Sequence, residues 1–185
     1  MSTGVIIAIV VAVVVVLVLI GVGLAVMNGR RRLKRRFGPE YERAVAEDDG
    51  RGAAERDLRA RERRHDDLDI RELPSSARQR YARDWNSVQE HFVDRPAQAV
   101  READELVTRL MGERGYPTAG YEQRVRDLSV EHGRTLEHYR AAHSVKARAG
   151  GGTATTEELR GAMVHYRALF DDLLTDGEPR RGGPT

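Results

Sequence analysis

The hydrophobic pattern of the chain begins with an unbroken apolar run. From Gly4 to Met27 it reads GVIIAIVVAVVVVLVLIGVGLAVM, 24 residues without a charge. As a helix rising about 1.5 Å per residue this run is roughly 36 Å long, enough to cross a hydrocarbon core of about 30 Å. Its ten valines and four isoleucines favour a strand in water. A lone strand in lipid leaves its backbone groups unpaired, so the run predicts a transmembrane helix over 4–27. A cleaved signal peptide needs a basic leader, a shorter apolar stretch and a small-x-small site, whereas only Met1, Ser2 and Thr3 precede this run. Residues 1–3 are therefore read as a short extracytoplasmic N-terminus. Gly4, Ala8 and Ala12 recur every fourth position, a spacing that lets two spans approach closely, so self-association is one expected partnership.

The pattern then changes twice. Residues 28–37 form a basic juxtamembrane collar containing Arg30, Arg31, Arg32, Lys34, Arg35 and Arg36. Residues 38–73 are dominated by charge, with few apolar positions besides Tyr41, Val45, Leu58, Leu68, Ile70 and Leu73. Gly50 and Gly52 interrupt helix propagation there, and opposite charges at helical spacing, Glu55 with Arg59 and Asp57 with Arg61, support a polar helix from about Ala53. The segment reads as a charged helical spacer with too little apolar surface for a core.

From Ser75 an amphipathic rhythm sets in. Ala77, Tyr81, Trp85, Val88 and Phe92 recur at steps of three and four, as on one face of a helix, with Ser76 and Gln79 as its capping box. Pro96 breaks this helix, and Asp94 is positioned to cap a second one carrying Val100, Ala103, Val107, Leu110 and Met111. Gly112, Gly115 and Pro117 end it. A third helix from about Gly120 presents Val125, Leu128, His132, Leu136, Tyr139 and His143, and stops before Gly150, Gly151 and Gly152. Thr155 and Glu158 form a capping box for a fourth, whose stripe is Leu159, Met163, Tyr166, Leu169, Phe170 and Leu173. No alternating strand pattern is present. The expected fold class is all-α: one N-terminal transmembrane helix, a charged helical spacer, a four-helix bundle over 74–176 and a disordered Gly/Pro-rich tail over 177–185.

Charge and composition refine this picture. The chain of 185 residues carries 31 basic and 29 acidic side chains, +2 overall. Six of the bases lie in the collar, leaving 25 against 29, or −4, beyond it. Because Lys and Arg near a span stay on the cytoplasmic side, the collar predicts a single-pass cell-membrane protein with its N-terminus outside and its C-terminal domain in the cytoplasm. The six bases lie at headgroup level, where each adds about 1 kcal/mol of attraction to anionic lipid. The acidic excess beyond the collar, with arginines interleaved among acids, argues against nucleic acid as a partner. With zero cysteines, disulfides, thiolate metal sites and cysteine nucleophiles are excluded.

Candidate chemistry is sparse. Histidines His132 and His143 lie about 20° apart around a continuous third helix but roughly 16 Å apart along it, too far to share one ion. His138 faces away from His132. Hydrogen-bonded core positions are the simpler reading, although His132, His143 and His165 remain alternative ligand-site candidates. A di-iron centre in a helical bundle requires two Glu-x-x-His motifs, and only Glu62 to His65 fits, within the charged spacer. The acidic pairs Asp104–Glu105, Glu157–Glu158 and Asp171–Asp172 read as solvated faces or helix first turns. No HExxH, GxSxG, phosphate-loop or dinucleotide fingerprint occurs. Nothing points to a catalytic residue, a resident metal or a cofactor. Tyr81, Trp85 and Phe92 offer either a binding groove or core packing, and helical spacing favours the core.

The strings RYARDWNSVQEHFVDRPAQAVREADELVTRLMGERGYP, DLSVEHGRTLEHYRAAH and ATTEELRGAMVHYRALFDDLL resemble an uncharacterised family of actinobacterial proteins with one N-terminal hydrophobic segment. The likeness covers roughly residues 76–174, and two lysines against 29 arginines also look like a high-GC genome. The resemblance transfers no activity. It implies that FVD with Pro96, EADELV and GYP are signature positions, which makes the surface near the turns 94–96 and 115–117 a candidate for shared function, helix-cap and turn chemistry being the simpler reading; Arg95, Tyr116 and Tyr121 are the exposed candidates there for contact with an unidentified protein partner. The expected function is a membrane-anchored, non-enzymatic interaction or scaffolding module, the alternative being a small metal- or ligand-binding helical protein tethered to the membrane.

Overall fold

The structure, a computed structural model, describes the backbone of residues 3–175, with the side chains of residue 4 and of residues 11–175. The expected tail, residues 1 and 2 of the expected N-terminal segment and the side chain of Ala8 lie outside the described residues. All regular structure among the described residues is helical, in eight helices, so the all-α class holds. The chain divides into two units, Met1–Arg59 and Ala60–Thr185.

In the first unit, helix α1 spans Thr3–Phe37 and carries the apolar run and the basic collar without a break. It is long and apolar enough to cross a membrane, and among the described residues of its apolar stretch the side chains stand exposed, Leu17 at 62% and Leu19 at 65%. At Gly38 the backbone takes φ +55, a left-handed conformation that glycine adopts without strain. There the chain passes from α1 into α2, Pro39–Glu47, with Pro39 in the first turn. The third helix, α3, runs Arg51–Asp66.

The charged segment is less bare than its composition suggests. Phe37, Tyr41, Ala54 and Leu58 are buried. The carboxylate of Glu55, 5% exposed, accepts hydrogen bonds from Tyr41 Oη at 3.0 Å, Arg30 Nε at 2.9 Å and Arg59 Nη2 at 3.2 Å. Burial alone would raise the Glu55 pKa, but the Tyr41 hydroxyl and the two guanidinium groups outweigh it and hold the carboxyl below its ordinary value. Lys34 pairs with Glu42 at 2.6 Å and lies over the Tyr41 ring. Arg30 and Lys34 of the collar are thus engaged by acids of the chain itself.

In the second unit, α4 (Ser75–Asp94), α5 (Pro96–Glu113), α6 (Tyr121–Leu128), α7 (Leu136–Gly150) and α8 (Thr156–Thr175) follow. Helix α5 packs against α4, α7 and α8, and α7 packs along α8. The helical stripes meet in one core that includes Trp85, Leu106, Leu110, Leu136, Leu169 and Phe170. Trp85 stacks on Phe170 with ring centroids 4.8 Å apart.

Three local expectations are corrected. The third helix is two, because residues 129–135 form turns. Ser129 Oγ donates to the Arg126 carbonyl at 2.6 Å and Thr135 Oγ1 to the His132 carbonyl at 3.1 Å, local bonds that compete with helix propagation on either side of Gly133. The apolar face survives the break, with Leu128 and Leu136 both fully buried. Asp94 is the last residue of α4 rather than the cap of α5, whose N-cap is Arg95. The Ser76–Gln79 box does not form either, since α4 starts two residues earlier, with Pro74 at the N-cap and no side-chain cap. The box at α8 does form: Thr155 N donates to Glu158 Oε2 at 2.7 Å, and Glu158 N to Thr155 Oγ1 at 3.2 Å.

Ahead of α4, residues 69–74 form a non-helical segment that passes the end of α5. Arg71 N donates to the Arg114 carbonyl at 2.9 Å. At Gly115, φ is +97 and a β-carbon would lie 2.1 Å from the Asp69 carbonyl oxygen. Only glycine permits that approach.

Candidate functional site

Four arrangements in the second unit carry chemistry-bearing side chains. The first is centred on Asp104 of α5, 4% exposed. Tyr166 Oη of α8 donates to its Oδ1 at 2.9 Å, and Lys146 Nζ of α7 donates to Oδ2. His143 Nδ1 lies 3.7 Å from Oδ1. Burial would raise the Asp104 pKa, but His143, Lys146 and the Tyr166 hydroxyl bring it down to about 2. The same burial, with the Asp104 charge alongside, pushes the Tyr166 phenol well up. Tyr121 stacks flat on His143, with centroids 3.8 Å and planes 8° apart. The arrangement ties α5, α7 and α8 together.

The second is a chain of polar groups. Asp172 Oδ2 lies 2.9 Å from His132 Nδ1 and accepts from Thr135 Oγ1 at 2.8 Å. His132 Nε2 is 3.3 Å from Tyr116 Oη, which donates to Glu131 Oε2 at 3.2 Å. His65 Nε2 stands 3.7 Å from the same Glu131 oxygen. Chiefly through His65, against the opposing effect of burial and with help from Tyr116, the Glu131 pKa falls to about 2. A carboxylate, an imidazole and a hydroxyl in series is the constellation that activates a nucleophile. Here His132 is 1% and Tyr116 3% exposed, and each finds its polar partners within the series.

The third is the contact of His138 on α7 with His165 on α8, Nδ1 to Nδ1 at 2.9 Å.

The fourth is a groove of about 280 Å³ between α4 and α8, lined by Trp85 and Phe92 on one side and Met163 and Val164 on the other, with Arg160 and Arg167 alongside. Val164 is 65% exposed. The Arg167 guanidinium lies 5.4 Å from the centre of the Trp85 ring and pairs with Asp171 at 2.8 Å, and Arg160 pairs with Glu157. An apolar floor beside positive charge suits a ligand that is apolar on one face and acidic at its margin.

These positions sort the residues singled out from sequence. Arg95 is exposed and Tyr121 half-buried over His143. Tyr116, expected at the surface, is instead buried among His65, Glu131 and His132. His132, His143 and His165 belong to three separate sets of partners, and no group of three or more His, Cys, Asp or Glu among the described residues is placed to hold a metal ion. The groove was only half legible: Trp85 and Phe92 were visible as aromatic positions at helical spacing, but Val164 and Arg160 lie on the outer edge of the α8 stripe, and pairing of α4 with α8 is not encoded in either helix alone. Comparison with protein-family models, with curated proteins and with solved structures finds no match, and the resemblance to the actinobacterial family gains no support from it.

Proposed function

We propose that the protein is a membrane-anchored, non-enzymatic interaction module whose second unit receives an amphipathic helix of a partner protein in the α4–α8 groove. The observation that carries this reading is the groove itself. It offers one wall with two aromatic rings, an exposed valine on the other and two flanking arginines, the chemistry that recognises an apolar helix face with acidic residues at its edge. The apolar helix α1 supplies the anchor. The collar directs the domain to the cytoplasmic side, where bases of the collar meet anionic headgroups. Anchoring raises the local concentration of the groove for membrane partners.

A photo-crosslinking residue at position 164 of the full-length protein in native membranes tests the reading. The expected product is a heterologous adduct with one partner segment of that chemistry, lost on Met163→Asp in the groove floor. Adducts with lipid alone, with a second copy of the chain alone, or with a partner that persists in the Met163→Asp background would refute it.

A further inference from the structure

We propose that His138 and His165 form a surface site for a late first-row divalent transition-metal ion, Cu(II) foremost, held by the two Nδ1 atoms. The two side chains come from adjacent packed helices, α7 and α8. Their ring centroids are 5.0 Å apart with planes 26° from parallel, while the Nδ1 atoms are only 2.9 Å apart. The rings therefore turn their nitrogen-bearing edges toward one another. Two imidazole nitrogens bound at about 2.0–2.1 Å to one ion and at right angles around it lie about 2.9 Å from each other. The spacing between the helices already has the bite of a chelating pair.

Chemistry favours the same ligand class. Two facing Nδ1 atoms cannot both carry a proton, and the rings satisfy each other by sharing one proton or by both turning lone pairs to a cation. Neutral imidazole suits Cu, Ni and Zn, and Cu(II) binds most tightly in that series. His138 is exposed, which leaves the remaining coordination positions to water or to an incoming ligand. The site is distinct from the His132 and His143 arrangements, whose imidazoles face carboxylates, and from the α4–α8 groove.

The test uses full-length protein in detergent, titrated with Cu(II) alone and followed by calorimetry and electron paramagnetic resonance. Expected is one ion per chain with the hyperfine signature of two imidazole nitrogens. That signature and the one-to-one step are lost in His138→Ala and in His165→Ala and are kept in His91→Ala, a control on α4. Both substituted side chains lie at the surface or near it, and unchanged circular dichroism confirms that the fold persists. Equal Cu(II) binding by wild type and both alanine variants, a single-nitrogen signature, or loss of the signature on His91→Ala would overturn the assignment.

Discussion

Asp104 shows how a single side chain ties the second unit together. Its carboxylate receives Tyr166 and Lys146 from two other helices while almost fully buried. A folded-state pKa of about 2 against an ordinary 3.8 means that this group stabilises the folded state above the ordinary value. That contribution, about 2 kcal/mol, is lost as pH falls from about 4 through about 2. Acid unfolding followed through Trp85, the one tryptophan, is therefore expected to steepen in that window. Asp104→Asn removes the charge, costs about 2–4 kcal/mol at neutral pH and flattens the acid limb. An unaltered acid limb in the variant would assign the pH dependence elsewhere. Gly115 is the second residue on which much rests. Gly115→Ala places a methyl group against the Asp69 carbonyl at positive φ, with an expected cost of about 2–4 kcal/mol by urea unfolding. A change under about 0.5 kcal/mol would show that residues 69–74 yield without penalty. Neither role was legible in the sequence. Asp104 looked like one of several solvated acidic pairs, and its partners lie 42 and 62 positions away. Gly115 was legible as a helix terminator, but not as the point where a non-helical segment passes.

At the scale of elements, what the periodicity carried was the face of each helix, and what it missed was where helices stop. The stripes of α4, α5 and α8 are buried as their spacing predicts, because a side chain's face depends on 3.6-residue geometry alone. Termini depend on local competition for backbone hydrogen bonds. The sequence Ser129–Thr135 keeps the helical phase of its apolar residues while its hydroxyls take up carbonyls and end the helix. Likewise, Ser76 and Gln79 have the residues of a capping box, but Pro74 starts α4 two positions before they can act. Thr155 and Glu158 meet the same requirement with both bonds made. Thr155→Ala is accordingly expected to cost about 1 kcal/mol, with Thr155→Ser retaining most of the stability, and Ser76→Ala to fall within about 0.5 kcal/mol of wild type. Equal losses at the two positions would mean that the cap at α8 contributes no more than an exposed hydroxyl. The His138–His165 contact belongs to this scale too. The angular arithmetic that sets His138 apart from His132 assumes one continuous helix, which the turns at 129–135 interrupt, and it carries no information about which residue of a neighbouring helix will face His138.

For the whole molecule, the proposed orientation follows from asymmetry at α1. Six bases follow the apolar run immediately, and the proposed direction of insertion rests on the retention of Lys and Arg on the cytoplasmic side. Arg30 and Lys34 are paired with Glu55 and Glu42, so their charge is partly offset once the first unit folds, whereas insertion reads the charges of the unfolded chain as it emerges. Orientation should therefore respond to all six bases, and lipid attraction of the folded protein to fewer of them. The absence of cysteine makes the orientation directly measurable. Ser2→Cys and Val93→Cys each introduce one thiol, the latter at a side chain that is 83% exposed. In intact cells a membrane-impermeant maleimide is expected to label Ser2→Cys, and to reach Val93→Cys only after the membrane is opened. Exchanging Arg30, Arg31, Arg32, Lys34, Arg35 and Arg36 for glutamine should erode that contrast, since the asymmetry that orients the span is then gone. Labelling of Val93→Cys from outside in the otherwise unaltered chain would reverse the topology and place the groove, with any helix it receives, on the extracytoplasmic face.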